Sequence, residues 1–201
     1  MSVAASSLIT AAQLKTYLGP EYSVGTDNDS LFELLIDSVS EMFNSRVGGT
    51  LAKTTYTAQY FDGNGKESLV LPNFPVISIT SIHEGGVLLT EGEDGDYVVD
   101  HASGIIHRVG GTWLRGRHTI KITYVAGYVV QGTAPAAGET ALPADLKLAC
   151  MIQVAREWKK SQGSEWGETS RSFPDGSTSH VERGLLKEVE ETLQKYRRYR
   201  V

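Results

Sequence analysis

The chain has 201 residues and a formal net charge of −5, from 24 acidic and 19 basic side chains. Its 40% hydrophobic and 21% charged residues are typical of a folded globular protein, being too apolar for a disordered chain and too polar for a membrane protein. An acidic chain is not expected to bind nucleic acid over its whole surface, because such proteins neutralise phosphates with a surplus of basic groups.

The cysteine content and the N-terminus both predict a protein made and used without secretion. Cys150 is the only cysteine, so it has no partner for an internal disulfide. The first ten residues contain neither a basic segment nor a long apolar stretch, which a signal peptide needs. No window approaches the roughly 18 apolar residues that span a bilayer, so no membrane partner is expected.

The N-terminal segment predicts two helices. Thr10 is a suitable N-cap for a short helix over Ala11–Leu18, which Gly19 and Pro20 end. A polar stretch that ends with Asp29 and Ser30 caps a longer helix, which ends near Val47, before two glycines. Apolar residues recur there at steps of three and four and form one stripe: Leu31, Leu34/Leu35, Val39 and Met42/Phe43.

The middle of the chain predicts antiparallel β-structure, because the period changes to two and β-branched residues dominate. Turn sequences separate the segments every 8–12 residues or so, as in a meander or small sandwich, and no helical pattern interrupts them. The predicted strands are 56–61, 68–71, 76–82, 87–89, 97–100, 104–108 and 119–125.

The C-terminal segment predicts two more helices. A connection rich in Ala, Gly and Pro covers 132–140, and a helix then runs from about Leu142 to Lys160 with a wide apolar arc. A polar loop follows at 163–184, and a last helix is predicted from Leu185 to about Tyr199. The fold class is therefore α+β: a bundle of about four helices from segments 1–50 and 132–201, with an inserted antiparallel β-domain at 51–131.

A search for chemistry finds no catalytic or metal-binding arrangement, so neither an enzyme nor a cofactor is predicted. His101 and His107 lack converging third and fourth ligands. The acidic run from Glu91 to Asp96 departs from the spacing of a calcium loop and is interpreted as a hairpin tip. No nucleophile motif includes Cys150, which lies on the apolar face of its helix and is interpreted as a core residue.

Two segments are unusual for a monomeric domain. The polar loop contains Trp166 and Phe173, and large aromatic residues in a solvated segment often anchor an interface, although a loop without a partner is the alternative. The chain ends with Tyr196, Arg197, Arg198, Tyr199 and Arg200. These residues either complement the helix dipole at a C-terminus or form a docking tail.

In order and spacing, these segments resemble the head–tail connector (adaptor, head-completion) proteins of tailed bacteriophages, in the longer form with a β-insertion. The resemblance runs from Leu8 to the C-terminus. It depends on short segments, none of them a catalytic signature: 8–18, 29–40, 71–78, 99–106, 122–128, 142–150 and 193–197.

The resemblance implies a structural role in the neck of a virion, for a protein made in the cytoplasm of the bacterial host. About twelve copies would form a ring under the portal, extend the channel for double-stranded DNA and join the next neck, stopper or tail protein. The resemblance then implies portal contact by Tyr196, Arg197, Arg198, Tyr199 and Arg200. It also suggests contact of the loop with a neighbouring copy or the downstream protein through Trp166, Arg171 and Phe173.

Three alternatives stay open from the sequence. The chain could be another tail- or neck-completion subunit, or a free binding module that holds a carbohydrate against Trp113, Tyr97 and Tyr124. An enzyme with unfamiliar chemistry is the third.

Overall fold

The computed structural model describes residues 3–23, 28–162, 170–172, 178–180 and 184–198. The helices are α1 (Ala11–Leu18), α2 (Pro20–Ser23), α3 (Asp29–Val47), α4 (Ala144–Gln162) and α5 (Lys187–Lys195). The strands are β1 (Thr54–Gly63), β2 (Ser68–Val70), β3 (Val76–Glu84), β4 (Val87–Leu89), β5 (Tyr97–Asp100), β6 (Ile105–Arg108), β7 (Gly116–Ala126), β8 (Ser170–Ser172) and β9 (Thr178–His180). Within these ranges, no helix combines the length and apolar character that a membrane crossing requires.

The chain divides into two compact units. A helical unit comprises Met1–Arg46 and Pro143–Arg197, and a β unit comprises Val47–Leu142 and Arg198–Val201. The β unit is thus inserted between the N- and C-terminal helices, and the chain returns to it at Arg198.

The helical unit begins with a fully capped helix. Thr10 Oγ1 accepts a hydrogen bond from the Gln13 amide, and Gln13 Oε1 accepts one from the Thr10 amide. This reciprocal pair satisfies two of the amides that a helix N-terminus leaves without intrahelical partners. The sequence prediction for α1 is confirmed, including the N-cap.

Buried apolar side chains of α1, α3, α4 and α5 form the core of the helical unit. The rings of Phe32 and Trp158 are 4.5 Å apart, and both side chains are buried. Cys150 is fully buried, and burial raises the pKa of its thiol to about 12. Cys150 is a core residue, as its position on the apolar face of the helix predicts.

Two antiparallel sheets form the β unit. Strand order is β1-β7-β3-β4 in one sheet and β2-β6-β5 in the other. Alternate side chains of both sheets enter one core, whose largest members are Trp113 and Tyr124. Because β7 lies between β1 and β3, the larger sheet is not a simple meander.

The α+β class and the inserted antiparallel sheets are confirmed. The sequence missed α2, a single turn after Gly19, and the paired strands β8 and β9 inside the predicted polar loop. The last helix ends at Lys195 rather than near Tyr199. It ends early because the Arg198 amide donates to Val47 O instead of continuing the helix.

Candidate assembly surfaces

The C-terminal segment begins with a tyrosine that is tied to α4. Tyr196 caps the end of α5, and its hydroxyl donates to Asp145 Oδ1 at 2.8 Å. Asp145 lies in the first turn of α4, where a carboxylate is favoured by the helix dipole. The bond therefore fixes the end of one helix against the start of another.

Arg197 is exposed beside a polar groove of the helical unit. The groove has a volume of 420 Å³ and lies between the end of α3 and α5. Arg46 and Glu190 cross it as an ion pair, with 3.3 Å between Nη1 and Oε1. The described lining of this groove therefore has a net positive charge, from two arginines and one carboxylate.

Arg198 enters the β unit, where its side chain is only 5% exposed. The guanidinium donates to Thr50 O at 2.8 Å, to Asn73 Oδ1 at 2.9 Å and to Phe74 O at 2.6 Å. It also lies 5.2 Å from the centre of the Phe74 ring, which adds a cation–π contact. These acceptors are neutral, so the site holds the cation with dipoles and an aromatic face.

Neighbouring residues build this guanidinium site. A Cβ on Gly49 would lie 2.7 Å from both Arg198 Nη1 and Asn73 Oδ1, so the close approach requires glycine. Asn73 is itself buried and donates through Nδ2 to the Tyr124 hydroxyl at 3.3 Å. Burial lowers the pKa of the Arg198 guanidinium, as desolvation disfavours a charge.

The structure therefore separates the predicted portal-contact residues. Arg197 is exposed, Tyr196 is half-buried, and Arg198 is taken up by the chain itself. Direct portal contact by Arg198 would require the side chain to leave this site. Tyr199 and Arg200 lie outside the described residues, as do Trp166 and Phe173. Arg171 lies in β8, and its side chain is outside the description.

The aromatic residues of the carbohydrate alternative are all in the core of the β unit. Trp113 and Tyr124 are fully buried, and Tyr97 is 3% exposed. Burial raises the pKa of both tyrosines to about 12. A sugar-binding site needs an exposed ring face, which none of the three offers.

His101 and Asp96, two of the candidate metal ligands, have other contacts. His101 Nδ1 donates to Val76 O at 3.0 Å. Arg108 pairs with Asp96 and Glu84 at 3.2 and 3.4 Å. Hydrogen bonds from Thr90 and from Arg108 lower the pKa of Asp96. In the described ranges, no three His, Cys, Asp or Glu side chains converge as a metal site would require.

A second groove on the helical unit was not predicted from the sequence. It has a volume of 620 Å³ and lies against one side of α4. Its apolar lining comes from α1, α4 and the residue before α5, and basic side chains stand at the C-terminal end of α4. The lining residues are Tyr17, Leu18, Ile152, Ala155, Arg156, Lys159, Lys160 and Leu186.

The fold thus combines helical ends with an inserted β unit, and the helical unit has one charged and one apolar groove. The family model of the head completion proteins matches residues 7–199. The chain belongs to the head completion protein family, which is a family of structural proteins.

Solved structures with the same fold come from gene transfer agent (GTA) particles. A chain of the neck of an empty GTA particle, computed with C6 symmetry, has a TM-score of 0.56 and 16% identity; the match covers 100% of this chain and 96% of that one. A neck chain of the native particle, computed with C12 symmetry, has a TM-score of 0.55 and 16% identity, and the match covers 100% of this chain and 97% of that one. A chain of the native virion has a TM-score of 0.57 and 16% identity, and the match covers 100% of this chain and 94% of that one. No curated protein matches the chain by sequence.

Proposed function

We propose that this protein is the head-to-tail adaptor of a tailed phage or phage-like particle, made in the bacterial cytoplasm and located in the neck. It forms a ring under the portal, extends the DNA channel and joins head to tail. The observation that carries the proposal is the match of the head completion family over residues 7–199. The likeness of the whole chain to neck chains of GTA particles supports it.

The ring is supported by the symmetry of those relatives. The GTA necks were computed with C12 and C6 symmetry, and the matched chains agree with this one over almost their full length. A ring of about twelve copies requires a head-to-tail contact between two different surfaces of each copy. Trp166, Arg171 and Phe173 of the polar loop contact either a neighbouring copy or the downstream protein.

The C-terminal segment docks onto the portal. Arg197 is exposed, and Tyr199 and Arg200 follow a fixed point at Arg198. Arginine and tyrosine are enriched in interface hot spots, so this composition suits a docking segment. Tyr196 and Arg198 contribute by holding the segment in place through Asp145 and through the guanidinium site.

The negative net charge of the subunit suits a channel through which DNA passes. A net charge of −5 gives the subunit no general attraction for phosphates, whereas a basic lining would retain the DNA. The protein thus contacts passing double-stranded DNA without binding a particular sequence. Its role is structural rather than enzymatic, in keeping with its family.

Immunogold electron microscopy on intact and tail-stripped particles tests the proposal. Label at the neck that stays on the head after stripping is the expected result. A deletion should then leave filled heads and complete tails that accumulate separately. Label at the tail tip would favour a tail-completion subunit instead, and absence of label from all particles would leave no role in the virion.

A further inference from the structure

The larger sheet of the β unit has an exposed apolar side chain at each of its two edges, in the same cross-strand row. The register partners across the sheet, from β1 to β4, are Tyr60, Lys121, His83 and Leu88. The adjacent Phe61 and Leu89 contact the core, so alternation places Tyr60 and Leu88 on the outer face of the sheet. Tyr60 is 58% exposed and Leu88 is 59% exposed.

The edges of this sheet can face each other in neighbouring copies of a ring. Among the described residues, β1 pairs only with β7 and β4 only with β3, and an open strand edge can receive another chain. All neighbouring strands are antiparallel, so β1 and β4 run in opposite directions. A ring of about twelve copies rotates each copy by about 30° relative to the next, which nearly conserves the strand directions. The β4 edge of one copy therefore faces the β1 edge of the next in the antiparallel sense.

The smaller sheet extends these edges into two sides of the β unit. β2 follows β1 after residues 64–67, β5 follows β4 after residues 90–96, and both are outer strands of the smaller sheet. Ser68 pairs with His107 and Tyr97 with Arg108, so β2 and β5 both begin where β6 ends. The turns before β2 and β5 therefore lie at one end of the β unit, on opposite sides of it.

The side formed by the β1–β2 turn and the start of β7 is basic. Its exposed charged residues are three basic and two acidic ones: Lys66, Arg115 and Arg117 with Asp62 and Glu67. Arg115 lies over the turn, since a Cβ on Gly65 would be 3.6 Å from the Cβ of Arg115. The His118 ring lies 5.7 Å from that of Tyr60, and the His118 amide donates to Asp62 Oδ1 at 2.8 Å. This surface, the basic side, therefore has a net positive charge next to the exposed tyrosine.

The opposite side, at the turn between β4 and β5, is acidic. The turn contains four carboxylates and no basic residue: Glu91, Glu93, Asp94 and Asp96. Arg108 pairs with Asp96 at 3.2 Å, whereas the other three carboxylates are exposed. This surface is the acidic side. The two sides have opposite charge at the same end of the β unit, and each adjoins an exposed apolar residue. Two different and complementary surfaces are the requirement for head-to-tail association.

We propose that neighbouring copies in the ring join through these sides: the β4 edge and acidic side of one copy lie against the β1 edge and basic side of the next, with Leu88 packed on Tyr60. The charges that face each other are Glu91, Glu93 and Asp94 on one copy and Lys66, Arg115 and Arg117 on the other. The proposal deepens the proposed function and rests on it, since it names the surfaces through which copies of the adaptor associate. Burial of the two apolar side chains contributes attraction, and the charges disfavour contact between two acidic sides.

A disulfide across the contact tests it in assembled particles. Tyr60→Cys and Leu88→Cys in the same chain should give, on mild oxidation, a ladder of linked copies up to the size of the ring. The bond cannot form within one copy, because β1 and β4 are separated by two strands at about 4.8 Å per spacing, and a disulfide requires Cα atoms within about 7 Å. The native Cys150 is buried and stays out of the reaction.

The control pair is Val70→Cys with Leu88→Cys. Val70 is 40% exposed on β2, where it points away from the core on the outer face of the smaller sheet, about 10 Å behind the larger one. This pair should give no ladder. A ladder from both pairs, or from neither while the protein is present in the neck, overturns the proposed contact and leaves the adaptor function standing. Immunogold labelling that finds the native protein absent from the neck overturns both.

An exchange of charges tests the pairing of the two sides independently. Arg115→Glu or Glu93→Arg alone should lower the number of copies retained per particle by roughly fivefold or less, as expected for an exposed pair, and the two changes together should restore it. Leu88→Ser should lower this number by roughly tenfold, because the apolar contact with Tyr60 is lost. All three residues are exposed, so the folded chain tolerates each change. A double variant as weak as the two single variants combined contradicts the proposed pairing.

Discussion

The guanidinium of Arg198 donates to Asn73 Oδ1 at 2.9 Å, across 125 residues of sequence. Arg198 is the last described residue of the chain, and Asn73 lies between β2 and β3. The contact anchors the end of the described chain in the β unit.

Replacement of Arg198 by alanine should lower the free energy of unfolding of the β unit by about 2–4 kcal/mol, because Thr50 O, Asn73 Oδ1 and Phe74 O lose their charged donor. Arg198→Lys should recover only part of this loss, since lysine lacks the planar fork that reaches several acceptors. Urea unfolding followed by tyrosine and tryptophan fluorescence measures it. Arg197→Ala, at the exposed neighbouring residue, is the control. Equal stability of Arg197→Ala and Arg198→Ala would show that the buried contacts of Arg198 contribute nothing.

Replacement of Gly49 by alanine should destabilise the same site by about 1–3 kcal/mol, because the new Cβ would lie 2.7 Å from Arg198 Nη1 and from Asn73 Oδ1. The cost should be smaller in the Arg198→Ala background, where one of the two clashes is absent. A double-mutant cycle measures this coupling. Strictly additive effects would mean that the alanine strains the backbone rather than the guanidinium site.

The sequence predicts those features of the fold that depend on contacts between residues close together in the chain. The capping residues Thr10 and Gln13 lie within one turn, and the local pattern predicts α1 to the residue. Periodicity also predicts the main strands, because alternation is a local consequence of a half-buried sheet. The position of β7 between β1 and β3 is set by pairing across the whole β unit, and no local pattern encodes it.

The candidate surfaces show the same limit. Leu34 and Leu35 both continue the apolar stripe of α3 in the sequence, and only packing against α4 reveals that Leu34 faces outward. Arg198 lies in a basic run whose members have similar propensities, so composition predicts a tail but not which arginine is buried. The tie from Tyr196 to Asp145 spans 51 residues and had no sequence signal.

Alkaline conditions should reveal the buried thiol. The pKa of Cys150 is raised from 9.0 to about 12 by burial, so the unfolded chain loses this proton at lower pH than the folded one. Its contribution to stability is therefore complete below pH 9 and declines as pH rises toward 12. The pKa values of Tyr97 and Tyr124 are raised from 10.0 to about 12, so each tyrosine adds a smaller decline, which begins about one pH unit above that of Cys150.

Between pH 9 and 10 the free energy of unfolding should fall by about 1 kcal/mol because of Cys150 alone. Cys150→Ala should make the profile shallower in that interval, whatever its effect on stability at pH 7, and the decline that remains should come from the two tyrosines. Urea midpoints at quarter-unit steps of pH measure the slope. Identical slopes for the native chain and the variant would mean that the thiol titrates normally in the folded protein.

Two truncations separate docking from folding at the C-terminus. Removal of residues 199–201 keeps Arg198 in its site, so the unfolding midpoint should change little while the joining of heads to tails fails. Removal of 198–201 takes away one further residue, and with it the guanidinium, so it should lower stability as Arg198→Ala does. Unfolding in urea and the fraction of tailed particles in electron micrographs measure the two effects.

Normal joining after removal of 199–201 would exclude Tyr199 and Arg200 from the portal contact. Arg197 would then be the remaining exposed candidate in the segment. Replacement of Arg197 by glutamate decides whether it takes part.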